Sequence, residues 1–464
     1  MTATSAPHEN AFLFLRNKMQ GALLLPGDLT YDEFRKVWNG ISNCRPAAIA
    51  RCRGATDIVE AVNFAREHDL LLSVKGGGHD YAGFATCNDG LMIDLSSMKE
   101  IHIDHEERLA RVDPGVTWGE FDREAQKFGL ATPGGTASTV GIAGLTLGGG
   151  SGYNSHKYGL TLDNLVSAEI VTADGQLLRV SSNEHPDLFW AIRGGGGNFG
   201  VVTFFEYRLH EIGPMVLGGQ IIHPFESARD VLQLYRDFMA QAPDEAACYP
   251  VVFRVPPLPI FPEEYHGKSA LSLVVYYSGE LAAGEEVLRP LREFGDPILD
   301  SVQPMDFILM QQSFDEGLPA GQRYYSRAQY LTDLSDEVID IFIEHTGALP
   351  GPFTIVFFDS IGGAVARIDP SATAFPHRNA AVSIHILAGW ADSGDDLASI
   401  SWVSAFHEAL TPYSTGSVYV NTLSWGEESR IKSAYGQNYE RLSELKNKWD
   451  PENLFRMNQN IKPA

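Results

Sequence analysis

The sequence predicts an α+β protein of two lobes. Its 464 residues exceed one ordinary domain of roughly 150 residues, so two or three structural units are expected. The first third alternates short apolar runs with amphipathic stretches, and residues 47–52, 55–68 and 70–74 form a strand, helix, strand pattern. From about Gly213 the predicted strands are longer and several alternate polar with apolar residues. This change is typical of a second lobe in which helices cover one face of a sheet.

Individual elements follow from the period of the apolar residues, which is about 3.6 in helices and 2 in half-buried strands. Further strands are predicted at 91–95, 108–112, 165–172, 201–209, 217–222, 249–255, 271–277, 353–360 and 382–390. Further helices are predicted at 227–240, 282–294, 336–346, 399–410 and 428–450. Pro451 ends the last helix because its ring clashes with the preceding turn.

The charge and the hydrophobic pattern restrict the partners. The chain has 35 basic and 59 acidic residues, a formal net charge of −24, so its surface repels phosphate backbones. No apolar run approaches the roughly 20 residues that span a bilayer. We therefore expect neither a nucleic acid nor a membrane as partner.

The cysteines and the first residues favour a cytoplasmic location. Cys44, Cys52, Cys87 and Cys248 have neither CxxC nor Cys/His metal spacing, so we expect reduced thiols and no bound metal. A disulfide between Cys44 and Cys52 is the alternative. Residues 1–21 lack the order of positive charge, long apolar run and small-residue cleavage site that marks an export signal.

Three glycine clusters are the most informative motifs. They read KGGGH at 75–79, GIAGLTLGGGSG at 141–152 and RGGGGNFG at 193–200. Because glycine lets backbone amides approach an anion closely, such loops can hold a pyrophosphate through main-chain hydrogen bonds. Each cluster alone is equally compatible with a simple chain reversal. None has the GxxxxGK[ST] pattern or opens a helix with GxGxxG spacing, which disfavours a Rossmann dehydrogenase.

Several runs in a fixed order resemble one known family. They are GGGHD at 76–80, TVGIAGLTLGGGSG at 139–152, DLFWAIRGGGGNFGVVT at 187–203, and a tail with DPENLF at 450–455 and NQNI at 458–461. Together they resemble the berberine bridge enzyme-like branch of the vanillyl-alcohol oxidase superfamily, whose FAD-binding part is of the PCMH type. The resemblance covers essentially the whole chain. It is closer to bacterial members, such as 6-hydroxynicotine oxidase and the flavin oxidases of polyketide pathways, than to plant members.

The resemblance implies a flavin lobe built from both chain ends. Residues 1–215 and 416–464 would form the FAD-binding domain, and residues 216–415 the substrate-binding domain. The implied activity is that of an FAD-dependent oxidase, which transfers a hydride from a hydroxylated small molecule (a sugar, secondary alcohol or natural-product intermediate) to flavin N5 and reduces O2 to H2O2. A dehydrogenase with a quinone-like acceptor, a cyclic-amine oxidase and a flavin-loaded binding protein with little turnover are the alternatives. A monomer or homodimer is expected.

Four positions carry specific implications of the family. His79 matches the histidine that bonds covalently to the flavin 8α-methyl carbon. Ala137 stands where doubly linked relatives have a cysteine, so a single linkage is implied. Gly135 matches the residue that guards the path of oxygen to the flavin, and a glycine leaves that path open. Leu145 replaces the histidine of plant relatives near the flavin pyrimidine.

The remaining residues expected to contact FAD lie in or beside the same motifs. They are Lys75, Gly76, Gly77, Gly78, Asp80, Thr139, Gly141, Gly144, Gly149, Gly150, Tyr153, Gly197, Asn198, Gly200, Val201, Val202, Asn458 and Asn460.

Tyr435 is the base that the resemblance predicts, since several relatives present a tyrosine to substrate near flavin N5. A phenol has a pKa near 10, so a base role requires a neighbouring cation or hydrogen-bond donor that stabilises phenolate. A packed core tyrosine is the alternative. Tyr439, one helical turn later, is either a packing partner or a donor, and His385 and Asp359 are the other candidate bases. Tyr324, Tyr325, Trp390, Tyr419 and Asn421 are the candidate substrate contacts, although only alternate residues of a strand face the same side.

Overall fold

The computed structural model describes residues 9–464. The strands of residues 22–211 form three sheets. In chain order these strands are β1 (Ala22–Leu24), β2 (Ala48–Arg51), β3 (Leu72–Lys75), β4 (Leu91–Asp94), β5 (Ile101–Asp104), β6 (Leu109–Val112), β7 (Leu130–Ala131), β8 (Leu165–Val171), β9 (Leu177–Ser181), β10 (Val201–Arg208) and β11 (His210–Glu211). The sheet orders are β1-β2-β4-β3, β5-β6-β10-β8-β9 and β11-β7.

The strands of residues 215–390 form one eight-stranded sheet. They are β12 (Met215–Pro224), β13 (Ala246–Arg254), β14 (Ser269–Tyr277), β15 (Leu299–Asp300), β16 (Gln303–Asp306), β17 (Arg323–Leu331), β18 (Ile355–Ser360) and β19 (Val382–Trp390). The order is β15-β12-β14-β13-β18-β19-β17, with β16 also paired to β12. All of its pairings are antiparallel, whereas β2, β4 and β3 run parallel.

The helices connect these strands and cover them. They are α1 (Glu9–Lys18), α2 (Tyr31–Phe34), α3 (Ala55–Glu67), α4 (Trp118–Ala125), α5 (Ile142–Gly148), α6 (Ser155–Tyr158), α7 (Pro186–Ile192), α8 (Ala228–Met239), α9 (Leu281–Arg292), α10 (Phe307–Gln311), α11 (Asp336–Thr346), α12 (Gly363–Arg367), α13 (Asp396–Leu410), α14 (Ile431–Tyr435) and α15 (Tyr439–Trp449). No helix within residues 9–464 is long and apolar enough to cross a membrane.

The two faces of the eight-stranded sheet differ because successive side chains of a strand point to opposite sides. On one face, Val356, Phe358 and Ile386 pack with buried residues of α8, α11 and α13. Each such large apolar side chain contributes about 1.5–3 kcal/mol through burial. On the other face, Ile355 and Leu387 pack with a second cluster that contains many aromatic rings. This second face is turned toward the candidate site.

The predicted α+β fold with a helix-covered sheet is confirmed, whereas one predicted helix is wrong and one long strand was not predicted. The predicted helix 428–450 is divided into α14 and α15, because Gly436 adopts a left-handed φ of 49° and begins a single 3₁₀ turn. β17 is a nine-residue strand that the sequence pattern did not reveal. Cys44 and Cys52 are free thiols, so the alternative disulfide is not formed.

Candidate active site

A cavity of about 360 Å³ lies between the glycine loops and the aromatic face of the large sheet. Predicted residues on its glycine-loop side are Gly76, Gly77, Gly78, His79, Asp80, Gly135, Thr139, Gly141, Gly144, Leu145, Gly197, Gly200, Val201, Val202 and Asn458. Three residues predicted to meet the substrate or to be catalytic also line it: His385, Tyr419 and Asn421.

Two of the glycine loops touch backbone to backbone. A Cβ atom on Gly77 would lie 2.3 Å from the amide nitrogen of Gly141, and one on Gly141 would lie 2.4 Å from that of Gly77. No heavy atom can occupy those positions, so only glycine permits this approach. The contact joins the loop that carries His79 to the start of α5.

The His79 ring is held in place and neutral. It stacks on Trp38 with ring centroids 5.1 Å apart and an interplanar angle of 20°. Burial lowers the pKa of His79 to about 4, and a hydrogen bond to the backbone of Thr139 is a smaller influence that raises the pKa. The imidazole at neutral pH therefore keeps a lone pair on its second nitrogen, as a nucleophile requires.

Tyr419 presents the best-supported phenol in the cavity. The backbone N–H of Gly150 donates to its hydroxyl oxygen at 2.7 Å, and the Asn421 side-chain amide donates to the same atom at 2.8 Å. Burial raises the pKa of Tyr419 to about 12, and these two donors oppose that rise. Both hydrogen bonds favour phenolate.

A buried carboxyl group lies next to the cavity. The hydroxyl of Ser151, which lines the cavity, donates to the Asp359 carboxylate at 2.8 Å. Burial raises the pKa of Asp359 to about 6, against the lowering influence of Ser151 and His156. Asp359 itself does not line the cavity, so it acts on the site only through its neighbours.

His385 is a neutral ring in the cavity. It stacks on Phe357 with centroids 4.4 Å apart and an interplanar angle of 2°, and its Nε2 lies 3.1 Å from the hydroxyl oxygen of Ser383. Burial lowers its pKa to about 4.

The structure places Tyr435 and Tyr439 outside the residues that line the cavity. The Tyr435 hydroxyl donates to the carbonyl oxygens of Gln459, at 3.0 Å, and Gly195, at 3.3 Å. Burial raises the pKa of Tyr435. Tyr439 packs on the Tyr435 ring, with centroids 6.5 Å apart. These contacts are those of the packed core tyrosine and oppose the predicted role as base.

Tyr325 and Trp390 point away from the cavity because successive side chains of a strand lie on opposite faces of the sheet. Both lie in the cluster on the helix-covered face, where the Trp390 indole donates to Asp396 at 2.8 Å. Their prediction as substrate contacts is therefore corrected, since the cavity is on the opposite face. Tyr324 does lie on the cavity side, but its ring is stacked behind Trp38 at 4.0 Å and does not line the cavity.

The other predicted residues that do not line the cavity contact segments near it. Lys75 donates to the carbonyl of Phe34 at 2.7 Å, Tyr153 packs among Tyr249 and Tyr276, and Asn198 binds the chain end through the carbonyl of Gln459 at 3.2 Å. Gly149 lies against the Tyr419 ring, Gly150 donates to the Tyr419 hydroxyl, and the Asn460 amide oxygen is buried without a partner.

Sequence reasoning missed most of the aromatic side of the cavity. The missed residues with side chains relevant to binding are Trp38, Tyr81, Tyr249, Phe314, Asp315, Ile355, Phe357 and Gln459. Period-two alternation along β18 does place Ile355 and Phe357 on the same face as Asp359, so part of this set could have been found.

The lining fits FAD. Among the residues that the structure describes, none that lines the cavity is Lys or Arg, so backbone amides must meet a pyrophosphate. A Cβ on Gly144 or Gly197 would meet no heavy atom within 4 Å, which leaves open space over the glycine loops. The buried amide oxygen of Asn458 has no hydrogen-bond partner and is available to a polar ligand.

Comparison with known proteins agrees with this reading. Residues 46–181 match the family described as FAD binding domain, and residues 418–462 match the family described as berberine and berberine like. An FAD-linked oxidoreductase of Dictyostelium discoideum is 32% identical over 451 residues, which are 96% of this chain and 95% of the relative. The chain belongs to the berberine bridge enzyme-like family of FAD-linked oxidoreductases.

One further relative of this FAD-linked oxidoreductase and two similar solved structures have names that state a substrate. (R)-6-hydroxynicotine oxidase of Paenarthrobacter nicotinovorans is 31% identical, with 96% of this chain and 97% of the relative covered. The crystal structure of 6-hydroxy-D-nicotine oxidase from Arthrobacter nicotinovorans superposes with a TM-score of 0.86 at 29% identity, covering 96% and 98% of the two chains. The structure of xylooligosaccharide oxidase from Myceliophthora thermophila in complex with xylobiose superposes with a TM-score of 0.85 at 25% identity. The superposition covers 98% of this chain and 99% of that chain.

Proposed function

We propose that this protein is an FAD-dependent oxidase of hydroxylated small molecules, with FAD bonded covalently to His79 alone. FAD supplies, when bound, the acceptor for a hydride and the group that reacts with O2 to give H2O2. The observation that carries the proposal is that His79 and the doubly hydrogen-bonded phenol of Tyr419 line the same cavity.

Tyr419 is the proposed base. In the neutral phenol, the N–H of Gly150 and the amide of Asn421 occupy both lone pairs of the oxygen, so its own O–H points elsewhere. Loss of that proton leaves one free lone pair, which can accept the hydroxyl proton of a substrate while the adjacent carbon loses its hydride. The two donors hold the phenol oxygen in position throughout.

Three other residues are proposed to move a proton or to bind the substrate: Ser151, Asp359 and His385. The Ser151 hydroxyl lies between the cavity and Asp359 and can exchange a proton with that carboxyl group. His385 is neutral at physiological pH and can donate or accept one hydrogen bond to a substrate oxygen without adding charge.

The substrate side of the cavity is mostly apolar and aromatic. Tyr249, Phe314, Leu318, Ile355, Phe357 and Leu387 line it. Such a surface suits a hydroxylated molecule with a flat or apolar body, because each buried apolar contact adds affinity. The molecule should be uncharged, because none of these side chains can neutralise an anion. One relative is named for 6-hydroxynicotine and another for xylooligosaccharides, so their names leave hydroxylated and cyclic-amine substrates both possible.

Anaerobic mixing with a substrate panel tests the proposal. Hydroxylated aromatic and carbohydrate compounds, with cyclic amines as the comparison set, should bleach the flavin absorbance, and subsequent air should restore it with one H2O2 per turnover. Bleaching that reverses only with a quinone would indicate a dehydrogenase. Binding of compounds without any bleaching across the panel would indicate a flavin-loaded binding protein.

We also propose a cytoplasmic location with a small-molecule substrate and O2 as the partners. The support is that Cys52, Cys87 and Cys248 are buried free thiols and that the net charge is −24. Cell fractionation with an antibody against the chain tests the location, and recovery from the culture medium would oppose it.

A further inference from the structure

The segment 132–140 forms one side of the cavity but has no regular secondary structure of its own. Its conformation must therefore come from hydrogen bonds to neighbouring elements. On one side, the first residues of α4 donate to it, from the Trp118 N–H to the Val140 carbonyl at 2.9 Å and from the Gly119 N–H to the Ser138 carbonyl at 2.8 Å.

On its other side, the segment is bound by Asp315, which follows α10 in the part of the chain that builds the large sheet. The backbone N–H of Ser138 donates to one Asp315 oxygen at 2.8 Å, and the Ser138 hydroxyl donates to the other oxygen. One carboxylate thus fixes both the main chain and the side chain of a single residue. Hydrogen bonds to an ionised acceptor are about twice as strong as neutral ones.

Gln311, the last residue of α10, makes a second connection. Its buried side-chain amide donates to the Gly135 carbonyl at 3.2 Å and to the carboxyl group of Asp122 at 3.1 Å. The two connections are three residues apart on the segment, at Gly135 and Ser138. They therefore set its path along the cavity as well as its distance from α10.

Thr139, the residue after Ser138, lines the cavity together with His79, and the segment leads into Gly141, which touches Gly77 of the loop that carries His79. The Thr139 backbone, as a hydrogen-bond acceptor, raises the pKa of His79 against the larger lowering by burial, and such an acceptor leaves the lone pair on the other ring nitrogen. When that lone pair forms a bond to carbon, the ring becomes positively charged. A carbonyl oxygen already bonded to the N–H stabilises this charge, as it does on protonation.

We infer that Asp315 and Gln311 are positioning residues for covalent flavin attachment: by fixing segment 132–140, they hold Thr139 and the contact between Gly141 and Gly77 in place beside His79. The inference rests on the proposed attachment of FAD to His79. It means that α10 and the residues after it, which also contribute Phe314 and Leu318 to the substrate side, control a reaction on the flavin side. Attachment then requires that the contacts of Asp315 and Gln311 with segment 132–140 have already formed.

The attachment reaction balances with O2 as the oxidant. A C–N bond replaces one C–H bond of the 8α-methyl group and the N–H bond of His79. The two hydrogens, with two electrons, pass to O2, which leaves as H2O2. No other reactant is needed.

The rate of attachment tests the inference on the full chain. Protein purified from riboflavin-depleted cells is mixed with FAD in air, precipitated with acid at intervals, and assayed for flavin fluorescence that stays with the polypeptide. Asp315→Ala should attach FAD on the order of 10-fold to 10²-fold more slowly, because a displacement of about 1 Å can cost this much. Asp315→Asn retains an acceptor for the Ser138 N–H and should recover most of the rate, which a general loss of stability would not.

Ser313→Ala is the matched control, since its hydroxyl donates to Met310 and not to segment 132–140. It should attach FAD at the wild-type rate, and all variants should bind FAD before attachment with similar affinity. An Asp315→Ala rate equal to wild type, or an equal slowing in Ser313→Ala, would overturn the inference. If Asp315→Ala does not fold, Ser138→Ala removes the hydroxyl half of the contact and decides in the same way. Wild-type protein that never retains flavin would instead refute the proposed attachment itself.

Discussion

The side-chain amide of Asn421 donates a hydrogen bond to the phenol oxygen of Tyr419 across 2.8 Å, while the hydroxyl of Tyr435 is bound to the carbonyl oxygen of Gln459. The first phenol lines the cavity and the second does not. Of the two tyrosines, only Tyr419 combines access to a substrate with donors that favour its phenolate.

Tyr419→Phe should slow flavin reduction by substrate on the order of 10²-fold to 10⁴-fold, as loss of a positioned general base does. The ring remains, so FAD content should stay close to wild type. Stopped-flow absorbance at saturating substrate measures the rate. Tyr435→Phe is the comparison, and a larger loss of rate in Tyr435→Phe than in Tyr419→Phe would return the role of base to Tyr435.

Acid precipitation should leave all flavin with the polypeptide, because a covalent bond survives unfolding and hydrogen bonds do not. Peptide mapping should find flavin on a peptide that contains His79 and none on Cys87 or Cys248. His79→Ala should release FAD into the supernatant. A second flavin-bearing peptide would disprove the single linkage.

The rate of FAD attachment should be independent of pH from about 8 to 5. Burial lowers the pKa of His79 to about 4, so the nucleophilic neutral ring persists throughout this range and is lost only as the pH falls further. An ordinary histidine, with a pKa near 6.5, would become mostly protonated within the range. The acid-quenched assay at stepped pH measures this, and a midpoint between pH 6 and 7 would show that the ring is not shielded as described.

Substitution of Gly135 should slow reoxidation in proportion to side-chain size. A Cβ there would lie 3.3 Å from the Leu145 side chain and 3.6 Å from that of Trp118, so Ala fits tightly and Val must displace Leu145. The added methyl groups reduce the space through which oxygen is proposed to reach the flavin. Stopped-flow mixing of reduced enzyme with O2 should rank wild type, Gly135→Ala and Gly135→Val in falling order. Equal rates in all three would remove Gly135 from the oxygen path.

Lys446→Met should lower the free energy of unfolding by about 3–5 kcal/mol, because it leaves the buried carboxylate of Asp450 without its partner. The Lys446 ammonium is fully buried and donates to Asp450 and to the carbonyls of Asn198 and Phe455, at 2.7, 2.7 and 2.8 Å. Denaturant unfolding of the flavin-bound protein measures the loss. Lys448→Met, which removes an exposed pair with Asp187, is the control and should have little effect.

Elements with a clear period were predicted well from the sequence. The strand Val382–Trp390 and the helix Asp336–Thr346 have the predicted bounds, since alternation fixes the first and the side chain of Ser335 caps the second. The glycine loops were predicted to line a ligand site because glycine lets backbone amides approach an anion and because the order of the loops resembles one family, and about half of their residues do line the cavity.

The sequence could not predict which face of a strand points to the cavity and which is covered by helices. Alternation states that His385 and Trp390 point to opposite sides of β19, but the side that α11 and α13 cover depends on packing between distant segments. The same holds for Tyr435, whose hydroxyl contacts Gly195, 240 residues earlier in the chain. A motif match identifies such a residue without stating where its hydroxyl points.

The last residues of the chain complete the cavity near the glycine loops. Phe455, Met457, Asn458 and Gln459 line it, and the Ile461 N–H donates to the Asn198 side chain at 2.9 Å. The cofactor pocket therefore exists only when segments that lie far apart in the chain, from Gly76 to Gln459, have come together.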